Sequence, residues 1–380
     1  MGTGHLPLSS INVAAESAPS RLESSQKATH AVSRNGQVSR SLGLSTGEIV
    51  AVRSEEEILD TLDAEGKLDA LQFMPEMLKY CGQQFRVYKR ADKTCDTVNR
   101  TGGRRMYDTV HLDNLRCDGE AHGGCQAACL IFWKEAWLTR VEPALNDKAL
   151  HWRPVDVSAN GTPRCSRTDL LQATRRETGI EGPADHVQFR CQATDLFNAT
   201  SPLPWWDVRQ YIRDVRSGNA TIPQILKAFV FWLFTLTLRL RGYRVLVWTY
   251  NTFQKIRGGA PLRDIQGKLT KTPSLALHLK PGDLVQVKPL DEIVQTLDVR
   301  NKNRGLYFDG EMAHYCGGIY KIRSRVDKII NERTGQMMCL PNDCLILEGV
   351  ACRAQCSAKR LFCPRSIYHW WREIWLKKVE

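Results

Sequence analysis

Short stretches of two-residue and helical hydrophobic periodicity alternate along the chain, and the same succession occurs twice. "EIVAV" (48–52) and "DLVQV" (283–287) alternate apolar and polar positions as half-buried strands do. "EEEILDTLD" and "LDEIVQTLD" follow with helical spacing, which puts Ile58, Leu59 and Leu62 on one side. "FMPEMLKYCG" reads as a helical turn closed by glycine. Strand-like "QFRVYKRA" and "TVHLDNL" come next, matched by "IYKIRSRV" and "DCLILEG", with "RTGG" and "ERTG" as hairpin tips between them. Trp133 and Trp137 stand four apart, as do Trp371 and Trp375. That spacing predicts that each pair shares one helix face packed against its sheet.

Residues 47–82 align without a gap to 282–317, with 16 of 36 positions identical; chance would give roughly one in twenty. "WKEAWLTRVE" (133–142) and "WREIWLKKVE" (371–380) close the two copies. One domain used twice is therefore expected, over 47–142 and 282–380. The Ser-rich, aperiodic segment 1–46 predicts a disordered lead-in, and 143–281 a mixed middle segment. Short strands opening on "GDLVQV" resemble SH3-like barrels, including the KOW type, with an inserted helical arm. That resemblance implies an α+β chain in which two small homologous β-barrels with helical insertions flank a partly helical middle. The whole chain is also similar to a bacterial family carrying the "HGGCQ" and "FWKEAWL" signatures. Neither resemblance implies an activity.

Charge adds a candidate partner surface. Of the net +12, most lies in 201–281, which holds thirteen Lys and Arg against three Asp. An anionic membrane surface or another protein is expected there; nucleic acid is the weaker expectation, because the repeats are not strongly basic. The uncharged run 228–238 falls short of the ~20 residues that a spanning helix needs. It reads as a buried connecting helix, or as an interfacial one with Phe229, Phe231, Trp232 and Phe234 beside Arg239, Arg241 and Arg244. The start of the chain lacks a basic stretch followed by an apolar core, so a cytoplasmic location is expected, with a peripheral position at the inner membrane as the alternative.

Thirteen cysteines turn attention to metal chemistry. In a reducing compartment they are thiols or ligands rather than disulfides. The spacing C-x7-C-x3-C occurs at Cys117, Cys125 and Cys129 and again at Cys344, Cys352 and Cys356, while Cys81 matches Cys316. Four matching thiols per copy suit a zinc ion or an iron–sulfur cluster; buried reduced thiols are the alternative. Cys363 competes as a ligand in the second copy, and Cys95, Cys165 or Cys191 in the first.

Between its first two cysteines the first copy reads "DGEAHGG" where the second reads "LILEGVA". Reactive chemistry is therefore expected at Asp118, Glu120 and His122. His122 suits a ligand, an orienting hydrogen-bond donor, or a general acid/base. Gly123 and Gly124 suit the approach of backbone amides to an anion or a cluster sulfur. A nucleophilic pair of Cys125 with His111 or His122 is a further arrangement. No P-loop, Rossmann fingerprint, nucleophile elbow or HExxH pattern is present. The expected function is a non-catalytic, metal-stabilised binding or scaffold protein with a four-cysteine metal site in each repeat. The alternative is an iron–sulfur or zinc enzyme that uses the "DGEAHGGC" loop.

Overall fold

Ser54 begins the first helix by capping it: its hydroxyl accepts from Glu57 N, and Glu57 returns a carboxylate to Ser54 N. This capping box launches α1 (Glu55–Leu59) directly from β1 (Ile49–Val52) and turns Ile58 and Leu59 inward. The computed structural model describes residues 41–99, 101–141, 165–177, 187–238, 248, 249, 252, 256, 266–355 and 358–379. Over these residues the chain is mixed α+β, built from several small antiparallel sheets.

The first half continues through the short pair β2 (Lys67–Leu68) and β3 (Leu71–Gln72), a 3-10 helix at Pro75–Tyr80, and β4 (Gln84–Arg90). The hairpin β5 (Lys93–Cys95) and β6 (Gly103–Arg105) carries Thr101 and Gly102 of "RTGG" ahead of its second strand. It leads to β7 (Thr109–Leu112), β8 (Trp133–Lys134) and β9 (Leu138–Arg140). Five of these strands form one sheet in the order β8-β7-β4-β1-β9.

In the middle come α2 (Arg167–Ala173), the pair β10 (Arg175–Glu177) and β11 (Val187–Phe189), α3 (Gln192–Asp195), β12 (Ser201–Leu203), α4 (Arg209–Arg216) and α5 (Ile222–Leu238). β12 joins β6 and β5 in a three-stranded sheet. The second half opens with β13 (Leu284–Val287) and a helix at Leu290–Val294. It continues with the pairs β14 (Lys302–Asn303) with β15 (Leu306–Tyr307), and β17 (Lys328–Ile330) with β18 (Met337–Cys339), on either side of β16 (Ile319–Arg325). β19 (Leu345–Ala351), β20 (Tyr368–Trp371) and β21 (Leu376–Lys378) complete a second five-stranded sheet, in the order β20-β19-β16-β13-β21.

The two large sheets correspond strand for strand. Val50 pairs with Phe85 and Arg140, and Val285 pairs with Tyr320 and Lys378. A register shift falls between Val87 and Lys89 in one sheet and between Ile322 and Ser324 in the other. Each core centres on a phenylalanine held edge-on by two indoles. Phe73 meets Trp133 at 6.4 Å and Trp137 at 5.0 Å; Phe308 meets Trp371 at 6.3 Å and Trp375 at 5.4 Å. Trp137 donates to the Thr61 hydroxyl at 3.1 Å, and Trp375 to that of Thr296 at 2.9 Å.

The expected tryptophan-bearing helices are absent. In each pair the first tryptophan sits on a strand and the second on the single 3-10 turn that follows it, and the turn carries both rings into the same core. A four-residue spacing is met here by a kinked strand rather than by a helical face.

A buried ion pair repeats with the sheets. Glu135 pairs with Arg90 at 2.6 Å and accepts from the Ser41 hydroxyl and from the amides of Gly43 and Leu44. Glu373 pairs with Arg325 at 2.6 Å and accepts from the amides of Leu277 and His278. Residues 41–46, expected in the disordered lead-in, are thus bonded to the first sheet, with Leu44 fully buried. The rest of the lead-in, 1–40, lies outside the described residues, as do most of 239–265 and the site candidate Cys356.

Of the described side chains of α5, Ala228 is buried in a small cluster with Tyr211 and Phe362. Ile222, Leu226, Val230 and Leu233 are all more than half exposed, and among the described residues no helix is long and apolar enough to cross a membrane.

Burial alone would raise the Glu135 carboxyl, but Arg90 and the two amides hold it below the ordinary 4.5. A folded value below the unfolded one stabilises at higher pH and is lost as pH falls below about 4.5 and through the folded value. Urea unfolding at pH 7 and pH 3 should show a shallower acid loss for Glu135→Gln than for the parent chain. Glu135→Ala, which frees the Gly43 and Leu44 amides and leaves Arg90 with Asp92 at 2.6 Å as its remaining close partner, should cost about 2 kcal/mol at pH 7.

Candidate metal centre

The loop from Arg116 to Leu130 is folded by its glycines. Gly119 is left-handed (φ +79°), and a Cβ there would lie 2.0 Å from the Cys125 carbonyl oxygen. Gly123 (φ +65°) lies flat against the Phe189 ring, where a Cβ would come within 2.5 Å. Both positions therefore require glycine. The amides of His122 and Gly124 turn back to the Gly119 carbonyl at 2.9 and 2.8 Å. The Gly124 amide is thus used within the turn and is not presented to an anion, contrary to the sequence expectation.

This tight turn drives His122 completely into the interior, while Asp118 and Glu120 face outward. Asp118 pairs with Lys79 and accepts from Glu120 N. Of the three polar loop residues, only His122 is placed for interior chemistry.

His122 meets two partners. Its Nε2 lies 3.1 Å from Glu76 Oε1, and Cys117 Sγ donates to the same oxygen at 3.0 Å. The ligand atoms of Glu76, Cys117 and His122 all lie within 4.8 Å of one another, the only such group among the described residues. The His122–Glu76 approach is close but poorly aligned for a hydrogen bond; both His122 nitrogens and Glu76 Oε2 are buried without a hydrogen-bond partner. Three ligand atoms that converge, with only the Cys117–Glu76 contact satisfied among them, suit a shared cation.

Burial alone would raise the Glu76 carboxyl, but His122 and Cys117 hold it below its ordinary value. Burial and the adjacent Glu76 push the Cys117 thiol far up. A bound cation reverses that balance, because its own charge offsets the desolvation of the thiolate.

The triad opens onto an apolar cavity. Cys125, Cys129 and Cys191 line it together with Cys117 and His122, beside Met74, Ile131, Phe132 and Ile330. Cys191 is carried in by α3, which Gln192 pins to the core: its Oε1 accepts from Phe132 N, and its Nε2 donates to the carbonyls of Gln72 and Phe132. Burial raises Cys129 to about 11 and Cys191 to about 12. The far wall belongs to the second half: Ile330 N donates to Cys125 Sγ at 3.4 Å, and Gln126 N donates to Lys328 O at 3.1 Å. Arg365 and Glu332, paired at 2.7 Å, complete that wall.

No protein-family model, curated protein or solved structure matches the chain.

The expected cysteine sets are regrouped by the fold. Cys117, Cys125 and Cys129 do share one cavity. Cys81 does not line it; it caps the 3-10 helix and packs against the first core, as Cys316 does against the second. Cys191 takes the place expected of Cys81, whereas Cys165 is buried in the first core.

The match of Cys117 to Cys344 also fails. Arg90 pairs with Val110 and Arg325 with Leu345, so the sheet register sets Cys117 against Cys352 and Cys344 against Thr109. Cys344 packs with Val326, Ile329, Ile346 and Tyr368. Cys352 and Cys363 lie in another cluster with Cys95. The C-x7-C-x3-C spacing therefore recurs out of register, and among the described residues the second half assembles no comparable group.

Glu311, the counterpart of Glu76, shows why. Its carboxylate accepts from the amides of Arg353 and Gln355, which occupy the oxygens that Glu76 turns to Cys117 and His122. Glu76 itself escaped the sequence reading, although its identity in both copies was available as a signal. His111 is no base for Cys125: its ring bonds Ile131 O at 2.8 Å, packs on Phe132, and is held neutral by burial, down to about 3.

Gly119→Ala should unfasten this loop at a cost above ~1 kcal/mol. The check is the rate of thiol labelling in the folded state. Cys125 and Cys129 should react faster in the variant, while Cys344 keeps its protection.

Proposed function

We propose that this chain is a metal-cofactor protein whose working centre is an iron–sulfur cluster in the first-half cavity, held by Cys117, Cys125, Cys129 and Cys191. The observation that carries this reading is the gathering of four thiols on one apolar cavity, only one of which belongs to the group compact enough for a single ion. A cluster distributes its protein ligands over several irons, so its thiolates need not converge on one point. Arg365 then supplies a buried positive charge on the opposite wall, a direct influence on the potential of an anionic cluster. The centre serves one-electron chemistry, and the second half serves as its support.

A second reading is favoured by the triad itself: one zinc ion on Glu76, Cys117 and His122, with its fourth position open to the cavity as in catalytic zinc sites. Both readings replace the scaffold with two four-cysteine sites by a single centre. We read the two five-stranded sheets as SH3-like barrels in tandem; their shared strand order and register support this. The exposed apolar side chains of α5, next to the basic middle of the sequence, support a protein or anionic membrane surface as partner.

Anaerobic purification with metal and sulfide analysis tests the site. A four-iron cluster predicts about four irons and four acid-labile sulfides per chain with broad visible absorption, lost in Cys191→Ser. About one zinc per chain, retained in Cys191→Ser and lost in His122→Ala, would establish the second reading instead. A folded chain free of metal after anaerobic isolation overturns both.

A further inference from the structure

A second group of thiols lies outside the cavity. Cys95, at the end of β5, and Cys363, in the turn that follows the 3-10 helix Ala358–Arg360, pack together with Ala354. The two side chains pack in this one small cluster, although they come from opposite halves of the molecule. Both are free thiols and 6 to 7% exposed, so the contact is shielded but not sealed. Beside them the halves are clasped by polar contacts: Arg365 reaches Thr97 at 2.9 Å and Glu332 at 2.7 Å, and Thr97 also bonds Glu332. An open cleft lined by Asp96, Thr97 and Glu332 begins at the residue after Cys95.

We propose that Cys95 and Cys363 form a reversible disulfide, made by hydrogen peroxide, that covalently joins the two halves next to the metal cavity. Cys95 is the attacking sulfur. The adjoining Cys363 thiol and the positive charge of Arg365 and Arg360 bring Cys95 down to about 6, while Cys363 is raised and stays protonated. A thiolate at neutral pH is the reactive form. Its sulfur attacks one peroxide oxygen, the O–O bond breaks, and hydroxide leaves while Cys95 becomes a sulfenic acid. Cys363 then gives up its proton, its sulfur attacks Cys95 Sγ, the S–O bond breaks, and water leaves. The two sulfurs surrender two electrons in all. The peroxide becomes two waters once the proton already lost by Cys95 returns to the hydroxide. An external thiol reverses the bond by exchange. The loop so closed links segments far apart in sequence and limits the freedom of the unfolded chain.

The test treats the reduced full-length chain with hydrogen peroxide and maps its peptides without reductant. A Cys95–Cys363 linked peptide is expected, reversed by dithiothreitol, with a Tm about 3 °C or more above that of the reduced chain. Cys363→Ser should stop at a Cys95 sulfenic acid that a 1,3-diketone traps. Cys352→Ser, which removes the third thiol of this cluster, should leave the link intact. The same mapping on Cys191→Ser separates this inference from the cluster reading: the link should form there whether or not the cavity holds metal. A link from Cys352 to either partner, or an unreacted Cys95 in a chain whose thermal transition is unchanged, overturns the proposal.

Discussion

Glu135 and its counterpart Glu373 hold the rest of the structure in place. Each carboxylate sits almost fully buried after a tryptophan-bearing strand, faces an arginine from the long strand of its sheet, and binds the amides of the segment that precedes the first strand. Such an anion is costly to bury unless its lone pairs are filled. Here one guanidinium and two amides fill them, and in doing so they fix three otherwise separate stretches of chain. The Trp–Phe–Trp stacks then have a closed frame against which to pack.

Within that frame the two halves use the same acidic residue for different ends. Glu311 commits its oxygens to backbone amides and closes its loop. Glu76 faces a thiol and an imidazole that leave it incompletely satisfied. The difference arises in the loop after β7, where left-handed glycines turn the chain tightly enough to bury His122. The second half in turn provides the cavity with a wall. Ile330, Glu332 and Arg365 face the first-half cysteines, so the cavity belongs to neither half alone.

The sulfur atoms divide into four environments that spacing could not separate. Cys117, Cys125, Cys129 and Cys191 surround an apolar cavity, Cys95 and Cys363 pack together across the halves, and Cys81 and Cys316 cap their 3-10 helices. Cys344 is packing in the ordinary sense. Equal intervals along two chains imply equal places only when the backbone runs in the same register. β19 begins immediately after Cys344, whereas its counterpart β7 ends five residues before Cys117.

The strand and helix periodicities, the duplicated order of elements, and the polar character of the first cysteine loop could all be read along the chain. These depend on local backbone preference and on which side chains face inward, and alternation reports both. Folding in three dimensions was needed to place the tryptophans on kinked strands, to expose the apolar side chains of α5, and to bring Cys191 and Glu76 to His122. Those outcomes depend on contacts between segments far apart in the chain, where burial, register and the filling of buried lone pairs select the partner. A one-dimensional interval between cysteines carries none of that information.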